Sequence, residues 1–389
     1  MPDPRVLLSF PTRLGTSGIG TTAWNQVAGL TRLGVSVSVA CGSLERPLPG
    51  VGVALETMRV AGRRIPYRVV GLERAMAYHD RRTARLLERQ PGRYDVVHAW
   101  PGGAERTLAA ARRLGITAVL ERPNAHTAFA FEAVAEECRR IGVPIDPSSP
   151  HAADSVRLAR EEREYAAADA LLCPSDFVAR THADRGVPQE RLVRHQYGYD
   201  PERFPAGGAR GDRPFTAAFV GRVEPRKGLH MALRAWQDAG LSEHGRFLVC
   251  GAVDAGYDAV LAPLLADPSV EHFGHHPDPG SVMREADVLV LPSVEEGSAL
   301  VTYEARGSGC VLVVSDHSGA PCRHEHDALV HQAGDVAALS GHLARLAADP
   351  ELLARLRTAS LEGIGDLTWD AAASSLLAAY EAARSARAA

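Results

Sequence analysis

Short, wholly apolar runs of strand length recur along this chain, each followed by a segment of helical period, and that alternation restricts the fold more than any other feature. RVLLSF precedes a helical stretch at 24–33, VSVSVAC follows it, YDVVHAW leads into the alanine-rich 104–114, and TAVLER and ALLCPS continue the series. Strands that lack polar alternation must be covered on both faces, as in a parallel sheet built from βαβ units. The rhythm breaks at AGGARGDRP, residues 206–214, which has no apolar period and is the best linker candidate. It restarts with TAAFVG, RFLVCG, VEHFG, VLVLPS and CVLVVSD, and ends in three amphipathic helical stretches between about 336 and 387. The predicted class is α/β, with two doubly wound domains at 1–204 and 205–370 and a terminal helix at 371–389. A chain of 389 residues, 46% of them apolar, can fill two such cores.

Several classes are excluded early. A formal charge of −4 gives no general affinity for nucleic acid. No apolar run reaches the roughly 20 residues of a membrane-spanning helix, and MPDPRVLLSF enters a strand without the pattern of a secretory leader. The six cysteines, Cys41, Cys138, Cys173, Cys250, Cys310 and Cys322, are scattered and form no CxxC pair, so they read as reduced thiols of a cytoplasmic protein. Of the 43 basic residues only Lys227 is lysine. An arginine bias explains the other 42; the exception suggests a position that needs a compact ammonium.

Open parallel sheets bind ligands beyond the carboxyl ends of their strands, so chemistry is sought in the loops that follow them. After the first strand comes Gly15-Thr-Ser-Gly18-Ile-Gly20, followed by a helix start whose free N–H groups can meet an anion. Its spacing is G-x-x-G-x-G, and the second strand ends in Cys41-Gly42-Ser43 without an acidic residue for a ribose, which argues against a nicotinamide enzyme. After the first strand of the second domain comes Gly221-Arg222-Val-Glu-Pro-Arg226-Lys227-Gly228. Cations at the mouth of a parallel sheet suit a diphosphate, arginine by a forked contact and lysine by point charge. After VLVL comes Pro292-Ser-Val-Glu295-Glu296-Gly-Ser-Ala299, with Glu304 on the ensuing helix. At 1.5 Å rise per residue Glu296 and Glu304 lie within about 12 Å, a reach that suits hydroxyls at two places on one elongated ligand.

Glu121-Arg-Pro-Asn-Ala-His126 forms a turn after TAVL, and its histidine could donate to a hydroxyl or move a proton; His98 is the competing strand-end choice. Ten arginines between Arg59 and Arg93, against Glu73, Asp80 and Glu88, read first as a solvated helix face and alternatively as a surface for an anionic acceptor or acidic lipid. Cys322, His324, His326 and Asp327 have metal-binding residue types but no second half-site, so no metal is expected.

Taken in order, GTSGIG, RPNAHT, EREYAAADALLCPSDF, YGYDPERF, FVGRVEPRKG, ADVLVLPS and EGSALVTYEA resemble the retaining glycosyltransferases of family four, which have the GT-B fold of two facing Rossmann-like domains. The resemblance runs from the first strand to about residue 375 and is most specific at Arg222/Lys227 and the E-x7-E pair Glu296/Glu304. It implies a nucleotide-diphosphate sugar as donor substrate, no separate cofactor and no metal. Arg222 and Lys227 would bind and stabilise the leaving diphosphate, with backbone N–H groups of Ala299, Leu300, Val301 and, from the other domain, Gly18. Glu296 would hold donor-sugar hydroxyls, Glu304 the ribose, and His126 would sit by the reacting carbon. The last helix would cross back onto the first domain. The acceptor, whether small molecule, glycan or lipid-linked, is left open. Departures are Glu296-Gly-Ser-Ala for E-G-F-G, Glu304-Ala-Arg306-Gly for E-A-M-A, and Ser17-Gly18 for a glycine pair. The rival readings are an inactive nucleotide-sugar-binding subunit and a GT-B phosphorylase or epimerase.

Overall fold

The computed structural model describes residues 3–207 and 213–388; of the linker stretch at 206–214, residues 208–212 lie outside the described residues. The apolar runs form two parallel sheets. In the first, β1 (Val6–Leu14), β2 (Val37–Leu44), β3 (Gly52–Glu56), β4 (Val96–Ala99), β5 (Thr117–Glu121), β6 (Ala170–Cys173) and β7 (Leu192–Arg194) lie in the order 3-2-1-4-5-6-7. In the second, β8 (Thr216–Val220), β9 (Arg246–Cys250), β10 (Val270–His272), β11 (Val288–Leu291), β12 (Val311–Ser315) and β13 (Ala328–His331) lie in the order 10-9-8-11-12-13. All neighbours in both sheets are parallel. The order reverses between β1 and β4 and between β8 and β11. That switch point is where doubly wound sheets open a crevice.

The helices that matter below are α1 (Ile19–Arg32), α2 (Leu72–Arg89), α3 (Thr127–Ile141), α4 (Leu229–Asp238), α5 (Leu300–Gly307) and α6 (Trp369–Ala388). Successive strand residues face opposite sides, so Leu8 of β1 joins one core with Val27 and Leu30 of α1, while Leu7 joins the other with Leu108 and Val178. Leu376 and Tyr380 of α6 complete the first of these cores. Burial of each such side chain contributes about 1.5–3 kcal/mol. Gly29 allows α6 to approach α1 closely, since a Cβ there would stand 2.7 Å from that of Ala373. β1 runs further than RVLLSF suggests, to Leu14, through a register irregularity between Phe10 and Arg13 that accommodates Pro11, which has no N–H to give the ladder.

The chain divides into two compact units, Met1–Pro123 with Asp154–Tyr197 and Trp369–Ala389, and Asn124–Ala153 with Gly198–Thr368. These bounds differ from 1–204, 205–370 and 371–389. Residues 198–204 fall in the second unit because Tyr199 N–H bonds the Leu367 carbonyl at 3.0 Å and its ring lies where a Cβ on Gly307 would be. The terminal helix begins at Trp369 and packs in the first unit. The larger shift concerns 124–153. That segment carries α3, whose Glu137 lies 2.7 Å from His230 Nε2 of α4. An alternation of strands and helices is a local signal, and it does not reveal which sheet a given helix covers. Among the described residues no helix is long and apolar enough to cross a membrane.

Candidate active site

The loop after β8 turns through Pro225–Lys227, one 3-10 turn, and Gly228 then starts α4 with φ +73°. A Cβ at Gly228 would meet Met231 Cε at 2.5 Å and the Pro292 carbonyl at 2.7 Å, so glycine is required there by both conformation and space. The loop after β11 lies directly beside it, because the Val294 N–H donates to the Arg226 carbonyl at 2.9 Å. Two loops from adjacent switch-point strands are thereby joined.

Charges meet at that junction. Lys227 Nζ donates to Glu296 Oε1, and Arg226 Nη1 lies 3.0 Å from Glu296 Oε2. Burial alone would raise the Glu296 carboxyl, but Arg226 and Lys227 reverse this and hold it down at about 2. Glu295 is fully buried and reaches the same guanidinium, accepting from Arg226 Nη1 at 3.2 Å and from the Ala125 N–H at 3.2 Å. Burial pushes its carboxyl upward against the pull of Arg226. The guanidinium of Arg226 also donates to Glu224 from Nε at 3.1 Å and Nη2 at 2.9 Å.

His126 is buried and caps α3, its Nδ1 accepting from the Ala128 N–H at 3.2 Å. The Ala125–Glu295 bond sets this turn against the β11 loop, which puts His126 in the second unit with Lys227 and Glu296. The competing histidine is placed differently: His98 is fully buried, 3.0 Å from Glu121 and 2.7 Å from the Tyr380 hydroxyl, and serves the packing of α6.

The expectation for the backbone donors needs one correction. The Ala299 N–H donates to the Ser318 carbonyl at 3.2 Å and is already occupied, because Ala299 closes the loop before the helix begins. Leu300 and Val301 open α5, where a helix leaves its first N–H groups without intrahelical partners, and among the described residues nothing accepts from them. Glu304 lies on the next turn. Burial lifts its carboxyl to about 7, with Arg203 pulling weakly the other way, and no described residue donates a hydrogen bond to it.

Arg222 stands apart from the Lys227–Glu296 pair. Its side chain is 66% exposed and donates to Asp254 at 2.5 Å. Gly18 is in the first unit, at the N-cap of α1 with φ +77°, and a Cβ added there would meet nothing within 4 Å, so its backbone is open to approach.

Arg306, an unexplained departure in the sequence, points away from this region. It donates to the Ser360 hydroxyl at 3.1 Å and to the Pro321 carbonyl, and lies 3.3 Å from Asp327. Asp327 in turn accepts from the Arg323 N–H at 2.6 Å and His324 Nδ1 accepts from the Val330 N–H at 2.9 Å, so these residues brace their own loop. The residue that the sequence alone leaves without a role is Arg226, quoted there only as part of the basic motif. Its signal is the three acids of the two switch-point loops, Glu224, Glu295 and Glu296, more negative charge than one lysine can balance.

Comparison with known proteins bears on both units. Residues 16–203 match the family model Glycosyltransferase Family 4, and 214–349 match Glycosyl transferases group 1. A D-inositol 3-phosphate glycosyltransferase of Salinispora arenicola is 28% identical over 325 residues, which are 75% of this chain and 69% of that protein. The same enzyme of Mycobacterium bovis is 28% identical over 80% of this chain and 65% of its own length. The chain thus spans about two thirds of these relatives. Among solved structures, sucrose-phosphate synthase from Thermosynechococcus elongatus has a TM-score of 0.69 at 17% identity, covering 97% of this chain and 98% of that one. HepE from Anabaena in complex with UDP has a TM-score of 0.65 at 14% identity, covering 97% and 99%. At these identities the likeness speaks to the fold, and the fold is GT-B. With one model matching most of the first half and the other most of the second, the chain belongs to the glycosyltransferases of family four.

Proposed function

We propose that the protein moves a glycosyl group from a nucleoside-diphosphate sugar to an acceptor hydroxyl, with retention of anomeric configuration and with side-chain cations in place of a metal ion. The observation that carries this reading is that one switch point holds Lys227, on the loop after β8, and the Leu300 and Val301 N–H groups, which no described residue engages, one helical turn before the Glu304 carboxyl, to which no described residue donates. An anion on the first set and hydroxyls on the last describe a nucleoside diphosphate. HepE has been solved with UDP and with UDP-glucose, which supports a nucleotide-sugar donor.

In this reading Lys227 and the exposed Arg222 neutralise the diphosphate, Leu300 and Val301 donate to it, Glu304 accepts from the ribose, and Glu296 accepts from sugar hydroxyls. The bond from the anomeric carbon to the diphosphate oxygen breaks as the acceptor oxygen bonds on the same face, beside His126. The acceptor proton passes to the departing phosphate oxygen, so no separate base is consumed. Negative charge grows on the leaving group, and preformed cations there bind the transition state better than the ground state.

Thermal melting against a panel of nucleoside-diphosphate sugars tests the donor, since a ligand of the folded state alone raises Tm. One donor that stabilises, followed by formation of a retained glycoside on an acceptor such as D-inositol 3-phosphate, is the expected outcome. Release of sugar only when free phosphate is added would instead indicate a phosphorylase.

The arginine-rich segment is proposed as a contact for an anionic membrane. A hairpin pairs Arg59–Val60 with Arg63–Arg64, followed by the short helix Tyr67–Val70 and then α2. Val60 is 61%, Val69 71% and Leu72 47% exposed, and Arg63, Arg64, Arg68 and Arg74 are exposed among them. Each basic side chain near an anionic surface contributes about 1 kcal/mol. Arg63→Ser with Arg68→Ser should therefore weaken sedimentation with phosphatidylglycerol vesicles by tenfold or more. Equal binding to purely phosphatidylcholine vesicles would contradict the assignment.

A further inference from the structure

Lys227 has two claims on its single ammonium. It is paired with Glu296, and in the function proposed above, on which this inference rests, it must also neutralise the donor's diphosphate. Glu296 is 7% exposed, and a buried carboxylate that loses its only cation is strongly destabilised. A second cation is in place. Arg226 Nη1 lies 3.0 Å from Glu296 Oε2, on the oxygen that Lys227 does not use.

The two cations differ in freedom. Arg226 is fixed on every side, by Glu224 at Nε and Nη2, by the Glu295 carbonyl at 2.8 Å and by the Glu295 carboxylate at 3.2 Å. Its own carbonyl accepts from Val294 N–H, so its backbone is held to the same loop that carries Glu296. Glu295 extends the brace to the Ala125 N–H beside His126. Lys227, by contrast, has Glu296 as its one ion-pair partner among the described residues and a flexible four-carbon stem. We propose that Arg226 is a positioning residue, the standing counter-ion that keeps Glu296 in place and so frees Lys227 to swing onto the donor diphosphate.

The energetic consequence is a coupling between Arg226 and Glu296 that appears in the affinity for a diphosphate touching neither. Without Arg226, Lys227 can leave only by stranding a buried carboxylate. Without Glu296, there is nothing to strand. The test is a double-variant cycle read by calorimetric titration of UDP and GDP, using whichever binds the unaltered chain more tightly. Arg226→Met should weaken that nucleotide tenfold or more, and adding Glu296→Gln should bring it back to within about threefold of Glu296→Gln alone. A role confined to holding the loop's shape predicts no such recovery, because glutamine restores no packing. Arg226→Lys, which keeps a cation, should stay within about threefold of the unaltered chain and supplies the comparison if the methionine variant does not fold.

Unchanged affinity in Arg226→Met, persistent weakness in the double variant, or a tenfold loss in Arg226→Lys would overturn the proposal. Lys227→Ala separates this from failure of the functional reading. If Lys227→Ala weakens the nucleotide and the Arg226 variants do not behave as stated, only the counter-ion role falls. If Lys227→Ala leaves the affinity unchanged, the donor assignment falls with it.

Discussion

Lys227→Ala should lower the transfer rate by a factor of about 100 or more while leaving the protein folded. One preorganised charge donor aimed at developing negative charge supplies about 2.7–4 kcal/mol of barrier lowering, and Lys227 is the cation proposed to follow the diphosphate as it leaves. Folding should survive because Glu296 keeps Arg226 at 3.0 Å. The loss should appear in kcat as well as in KM, since the charge on the leaving group is greatest in the transition state. Lys227 is also the one lysine among the 389 residues, so it is the one side-chain amine among them that an amine-directed reagent can modify. Such labelling should inactivate the enzyme, and a bound nucleoside diphosphate should protect it. Near-normal turnover in the alanine variant, measured with the donor identified by melting, would show that the phosphate is held elsewhere.

The second large effect concerns Glu304, and it depends on pH. Its carboxyl sits at about 7 in the unliganded protein because burial disfavours the charge and Arg203 only partly compensates. A ribose hydroxyl donates to the ionised form, so binding below that value must first remove a proton. Affinity for the nucleoside diphosphate should therefore rise with pH, by roughly tenfold between pH 6 and pH 8, and level off above. The terminal phosphate of the ligand ionises over a similar range. Glu304→Gln separates the two, because it keeps the ligand's own titration and removes the protein's. The expected result is a flatter profile in the variant and weaker binding at pH 8; superimposable profiles would remove Glu304 from the ribose.

How much of this was legible in the sequence depends on whether a feature is local. The buried strands β1, β4, β5, β6, β8, β9, β11 and β12 announce themselves because each is apolar on both faces, and the loops after β8 and β11 follow from them. β3 is not anticipated: it is an edge strand whose apolar stretch is only Val53-Ala54-Leu55, and none of its residues is buried. The placement of α3 with the second unit rests on Glu137–His230 and Ala125–Glu295, contacts across about a hundred residues or more of chain that no periodicity encodes.

At the site, residue types were readable and partners were not. Glu295 and Glu296 are adjacent in sequence and both reach Arg226, yet only the first also accepts from the Ala125 amide and only the second from Lys227. Ala299 fits a helix-start pattern equally with Leu300 and Val301, and only the Ser318 carbonyl distinguishes it. Arg306 occupies a position next to the candidate site in sequence, but helical rotation carries it to Ser360 and Asp327. His98 had the right strand-end position and the wrong surroundings.

The most direct measurement is a crystal structure of the unaltered chain grown with UDP or GDP. The account predicts diphosphate oxygens within about 3 Å of Lys227 Nζ and of the Leu300 and Val301 amides, with the ribose on Glu304 and Arg226 still bound to Glu296. A nucleotide seated with its diphosphate away from Lys227, and Lys227 still paired with Glu296, would contradict it.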